Sequence, residues 1–242
     1  MLGKLIKYDF KALSKYLFPI YGAMIALSFI CSIMVRFRLD TGWIFSTLIL
    51  GLGLLLTFSF LITVYYVIDR FNKGLLKNEG YLSFALPVKT STHIAAKVLN
   101  ALIWALLETL ATGISFLIMG LIAASSKEVM ELLRYLFGYL DWEMLINVVQ
   151  VLLLLAEELI SFAVMIYAAL SIAHLFQKHQ GLFTAVAVIV MMTIRLSIPT
   201  INFAIGESQN FIPIAIYLVI LIHTAVYSLI TWYILEYHLN LE

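Results

Sequence analysis

Charge, cysteine and proline are all scarce in this chain, and each scarcity excludes something. Only 12% of its 242 residues are charged and 63% are hydrophobic, against about 25% and 45–50% in soluble domains. In water, so apolar a chain would expose large greasy patches; a bilayer removes that problem. The single cysteine, Cys31, rules out an intramolecular disulfide and a cysteine-based zinc site. Its apolar setting reads as a small buried hydrophobe. With 4 prolines and 12 glycines, no Pro- or Gly-rich linker marks a domain boundary, so residues 1–242 read as one transmembrane domain.

Catalytic signatures are missing as well. The chain has no G-x-x-x-x-G-K-S/T loop to hold ATP, no H-E-x-x-H, no G-x-S-x-G, and no Cys/His cluster at metal spacing. The histidines (His93, His174, His179, His223 and His238) are scattered. Neither a catalytic residue nor a metal ligand is expected, and no nucleic-acid partner.

What is there is long apolar runs. A spanning helix needs roughly 20 mostly apolar residues, and six segments qualify: Leu17–Val35, Trp43–Ile68, Ile94–Ala124, Leu145–Leu175, Leu182–Ile198 and Phe211–Leu235. The expected fold is an all-α membrane protein of six transmembrane helices. The first seventeen residues are too charged to begin a cleavable signal peptide, so the first run is expected to stay as an anchor.

Basic residues orient the spans. With both termini on one side, that side holds Lys4, Lys7, Lys11, Lys15, Arg70, Lys73, Lys77, Lys89, Lys97 and Lys178. The other holds Arg36, Arg38, Lys127, Arg134 and Arg195. The positive-inside rule makes the first side cytoplasmic.

Two segments outside the spans carry a pattern. Within Met1–Tyr16, Lys4, Lys7, Lys11 and Lys15 share one helix face, and Leu2, Leu5, Ile6, Phe10 and Leu13 share the other. This reads as an amphipathic elbow helix on the inner membrane surface, its lysines toward anionic lipid, or as a ragged tail. Asp9 breaks the pattern by falling on the apolar side. Outside, Ser125–Trp142 reads as a short helix on the outer leaflet or as part of a small cap, with Tyr135, Phe137, Tyr139 and Trp142 suited to the interface. Pro199 and Pro213 bracket the last outer link, where a broken or re-entrant turn would fit.

The longest cytoplasmic connection, residues 69–93, mixes charge with apolar anchors. Glu79 and Tyr81–Leu86 read as a short helix that Pro87 ends, and Thr90, Ser91 or Thr92 would cap the next helix. A plain solvated loop has no need of Tyr81, Leu82, Phe84, Leu86 and Val88, so this helix reads as a docking surface, with loop packing as the alternative. The run Glu79-Gly80-Tyr81-Leu82, then Leu86-Pro87-Val88, then Lys97 opening the third span, resembles the inner loop of type-2 ABC exporter permeases. In that family the loop forms a coupling helix seated in a groove of a separate ATPase subunit. The resemblance implies docking by Glu79, Gly80, Tyr81, Leu82, Phe84, Leu86, Pro87 and Val88. It also implies ATP and Mg on the partner only, a second identical or related permease, and a bacterial cell membrane. An amphipathic or cationic export substrate (antimicrobial peptide, drug or lipid-like molecule) would suit it.

Acids inside the spans form the last constellation. Glu108 lies mid-way along the third span and Glu157 and Glu158 mid-way along the fourth. Each costs at least about 2.5–3.5 kcal/mol to place at a bilayer centre. They read as a substrate path for a cationic substrate or protons, or as structural hydrogen bonding between helices. The proton path is the basis of the alternative function, an ion-coupled secondary carrier; a non-transporting assembly or sensor subunit is a third. Arg195 reads as snorkelling outward, with pairing to an acid as the alternative. Gly51, Gly53, Gly113 and Gly120 offer close helix contact without forming G-x-x-x-G.

Overall fold

The computed structural model describes residues 2–39, 42–85, 87–123, 134, 138, 142–176, 178–205 and 214–238, and every regular element among them is helical. In chain order these are α1 (Leu2–Arg36), α2 (Trp43–Phe71), a π-helical turn (Asn72–Leu76), α3 (Asn78–Phe84), α4 (Thr90–Ala123), α5 (Trp142–His174), α6 (Gln180–Ile205) and α7 (Ile214–Tyr237). Five helical stretches are long and apolar enough to cross a membrane: Leu2–Arg36, Trp43–Leu76, Thr90–Ile122, Met144–His174 and Tyr217–Tyr237. The fifth expected span falls in α6, where Gln180–Leu196 forms a shorter apolar stretch. By length and composition this is an all-helical, multi-pass membrane protein. Its outward side chains agree: Leu50, Leu117 and Ile189 are more than 60% exposed, an arrangement that favours lipid over water.

The elbow and the first span form one helix. The expected break near Tyr16 is absent because nothing there stops a helix, and the buried stripe runs straight through it. Asp9, Leu13, Leu17, Tyr21, Met24, Ser28, Cys31 and Ser32 are all buried along α1 at three- and four-residue intervals. Pro19 lies inside α1, as membrane helices tolerate. Lys4, Lys7, Lys11 and Lys15 are exposed, as their shared face requires. Likewise α6 continues through Pro199, so no turn begins there. Pro213 and nearly all of the outer segment before Trp142 lie outside the described residues.

The chain packs as two compact units. The first comprises Met1–Asp9, Ile68–Leu102 and Val151–Glu242, the second Phe10–Val67 and Ile103–Gln150. Helices α1, α2, α4 and α5 each contribute to both, so neither unit is a continuous stretch of sequence. The first is built around the C-terminal third of α5, where Val164, Met165, Ala168 and Ala169 are buried with Met191 and Tyr227. In the second, Leu13, Leu17, Tyr21 and Met24 of α1 are buried with Trp104 and Ala111 of α4. The Trp104 ring stacks on Phe10 at 4.9 Å between centroids. Gly51, Gly53, Gly113 and Gly120 have open space where a Cβ would stand, so they serve no close helix contact within the described chain.

Candidate functional site

The expected docking segment is mostly helical. Helix α2 runs on to Phe71, widens into the π-helical turn, and breaks at Lys77, whose backbone is extended (φ −115°, ψ −161°). The chain then restarts as α3, with the Gly80 N–H on the Lys77 carbonyl at 2.7 Å and Glu79 in the first turn, where the helix dipole favours an acid.

The two sides of α3 differ. Tyr81 and Leu82 project outward, 71% and 73% exposed. Beneath them Gly80 is buried, the half-buried Phe84 ring lies 5.7 Å from the His93 ring, and the Ser83 hydroxyl donates to the Gly74 carbonyl at 2.8 Å. Pro87 is exposed and Val88 half-buried; Leu86 lies outside the described residues.

A closed set of charges supports this underside. Asp9 is only 4% exposed. Its Oδ1 accepts from Arg70 Nε and its Oδ2 from Lys97 Nζ, each at 2.7 Å. Arg70 Nη1 then donates to Glu79 Oε2 at 2.9 Å. Two cations and two carboxylates therefore neutralise one another, which burial of charge requires. Arg70 is the joint, because the guanidinium fork reaches a buried and an exposed carboxylate at once. The lysine is also held by shape: a Cβ at Gly74 would stand 2.8 Å from Lys97 Nζ and 3.3 Å from its Cε. Tyr167 of α5 fixes the end of α2 by stacking on Phe71 at 3.9 Å and 6°, and its hydroxyl donates to the Lys97 carbonyl at 3.4 Å.

Sequence reasoning named Glu79 and Lys97 but did not join them. Asp9 carried the signal, a lone acid on the apolar face of an otherwise amphipathic stretch. Nothing in the local sequence marked Gly74, Ser83 or Tyr167.

The three intramembrane glutamates are divided between the units, each in its own setting. In the second unit Glu108 is 6% exposed and accepts from two α2 hydroxyls, Ser59 to Oε1 at 2.7 Å and Thr63 to Oε2 at 3.2 Å. The Tyr21 hydroxyl bonds Thr63 Oγ1 at 2.8 Å and extends the chain to α1. In the first unit Glu158 forms an ion pair with Arg195. Arg195 thus turns to an acid on a neighbouring helix instead of snorkelling, since pairing offsets the cost of an intramembrane charge. Glu157 Oε1 is buried and makes no hydrogen bond among the described residues.

Among the described residues no group of three or more His, Cys, Asp or Glu side chains could hold a metal ion. The sequence matches no protein-family profile, and no curated protein and no solved structure is detectably similar to it.

Proposed function

We propose that the chain is the membrane permease subunit of an ATP-driven ABC exporter, docking a separate ATPase through α3. One observation carries this reading: α3 presents Tyr81 and Leu82 outward while its other side is tied down by charge and hydrogen bonds. Two adjacent apolar side chains on a short, anchored helix suit a protein groove better than bulk water. In this reading α3 is the coupling helix, α6 counts as the fifth of six spans, and the start of α1 lies at the inner surface of a bacterial cell membrane. Both termini are cytoplasmic, and a second permease copy completes the assembly. ATP and Mg belong to the partner. The substrate class, an amphipathic or cationic molecule, rests on the resemblance of the inner loop and on the reading of Glu108, Glu157 and Glu158 as an acidic path.

The charge network supplies a route for the stroke. Displacing α3 pulls on Glu79, and through Arg70 and Asp9 the pull reaches the end of α2, the start of α1 and Lys97 of α4. A salt-bridge network is one kind of physical connection that carries conformational coupling. The ion-coupled carrier reading draws on the unpartnered oxygen of Glu157, whereas Glu108 and Glu158 already have partners. Replacing Tyr81 by Ala and Leu82 by Asp together tests the docking role. Loss of ATPase association with an unchanged melting temperature is expected; an ATPase that still binds and is still stimulated refutes it.

A further inference from the structure

The first unit carries an open groove whose lining shares only Val88 with the docking segment. Its mouth, about 690 Å³, is lined by Lys89, Thr90 and Ser91 at the start of α4 and by Glu236 at the end of α7. Through Ser91, Leu229 and Trp232 it meets a second hollow of about 340 Å³ that reaches Ile94, Val98, Ile160 and Val164. Thr90 and Glu236 stand at the ends of stretches fit to span the membrane, so the mouth lies at headgroup level. Val98, about 12 Å further along α4, lies at acyl-chain level. Trp232, where the hollows meet, is the residue type that favours this boundary.

Charge tells what the mouth takes. Lys89 precedes the first turn of α4, the positive end of that helix dipole, and that turn contains no acid. Glu236 lies in the last turn of α7, the negative end, and that turn contains no base. Each charge is therefore at the end of its helix that repels it, and no ion pair joins the two among the described residues. The Thr92 and His93 N–H groups close on the Lys89 carbonyl at 2.9 and 3.3 Å, while those of Thr90 and Ser91, at the helix start, remain outward donors. An anion at Lys89 and the α4 N-terminus and a cation at Glu236 would relieve both mismatches.

We infer that this groove binds a phospholipid whose headgroup carries both charges, a phosphate and a protonated primary amine. The phosphate sits on Lys89 and the Thr90 and Ser91 N–H groups, the ammonium donates to Glu236, and an acyl chain lies along Ile94, Val98 and Ile160. A quaternary ammonium cannot donate a hydrogen bond to Glu236, and an alcohol headgroup offers it no charge. Both should bind less well.

The test is competition among lipids. The purified, delipidated protein is mixed with micelles holding equal phosphatidylethanolamine, phosphatidylcholine and phosphatidylglycerol, and the retained lipid is counted by mass spectrometry. Enrichment of phosphatidylethanolamine by about two- to fivefold is expected, the size of one charge at a helix end. Glu236→Gln should abolish its advantage over phosphatidylglycerol, and Lys89→Ala should lower retention of all three. Both side chains are exposed, so neither change threatens folding. Retained lipid that mirrors the mixture, or a preference unchanged in Glu236→Gln, overturns the assignment.

Discussion

Asp9 and Glu108 are both buried carboxylates on spanning helices, yet they are satisfied in opposite ways. Asp9 lies between two full cations, one of which also holds α3. Glu108 is met only by hydroxyls, and Ser59 and Thr63 also reach carbonyls of their own helix at 2.9 and 2.8 Å. Each hydroxyl has one proton to give, so the Glu108 cluster shares a few protons among several acceptors, whereas the Asp9 cluster is held by attraction between full opposite charges. The first arrangement ties helices together locally. The second joins an exposed element to three helices and fails as a whole if one member is neutralised.

An amide swap at each acid separates the two most sharply. Asp9→Asn leaves Arg70 and Lys97 facing each other over a neutral group, a loss of about 3–5 kcal/mol, and thermal unfolding in detergent followed by circular dichroism should show the largest drop of the set. Adding Lys97→Met should recover part of it, because the orphaned cation is removed. Gly74→Ala comes next, at about 1–3 kcal/mol, since the new methyl displaces the lysine head in the same assay. Glu108→Gln keeps an acceptor for Ser59, so about 1 kcal/mol or less is expected. A Glu108→Gln drop as large as that of Asp9→Asn would erase the contrast.

Composition and periodicity made the helices legible, because a bilayer demands long apolar runs and little else. Cys31 is buried, as its setting implied. The short helix before Pro87 was also readable, displaced by a residue or two to Asn78–Phe84. Three things were not. The merging of the elbow with the first span depended on a stripe that crosses the boundary drawn between them. The pairing of Arg195 with Glu158 depended on two helices meeting 37 residues apart in sequence. The convergence of Arg70 and Lys97 on Asp9 spans separations of 61 and 88 residues, which no local pattern encodes. An isolated acid on an apolar face announced that a partner was needed, without saying which.

The central claim is that α3 is a docking helix held in place by the Asp9 network. The most direct measurement is Mg-ATP hydrolysis in the complex purified from native membranes through a tag on this chain, comparing wild type with the Tyr81→Ala, Leu82→Asp double variant. Hydrolysis that accompanies the wild type and is lost in the double variant, with helix content and melting temperature unchanged, is the predicted result. Equal hydrolysis in both, or none in the wild type, would contradict the account.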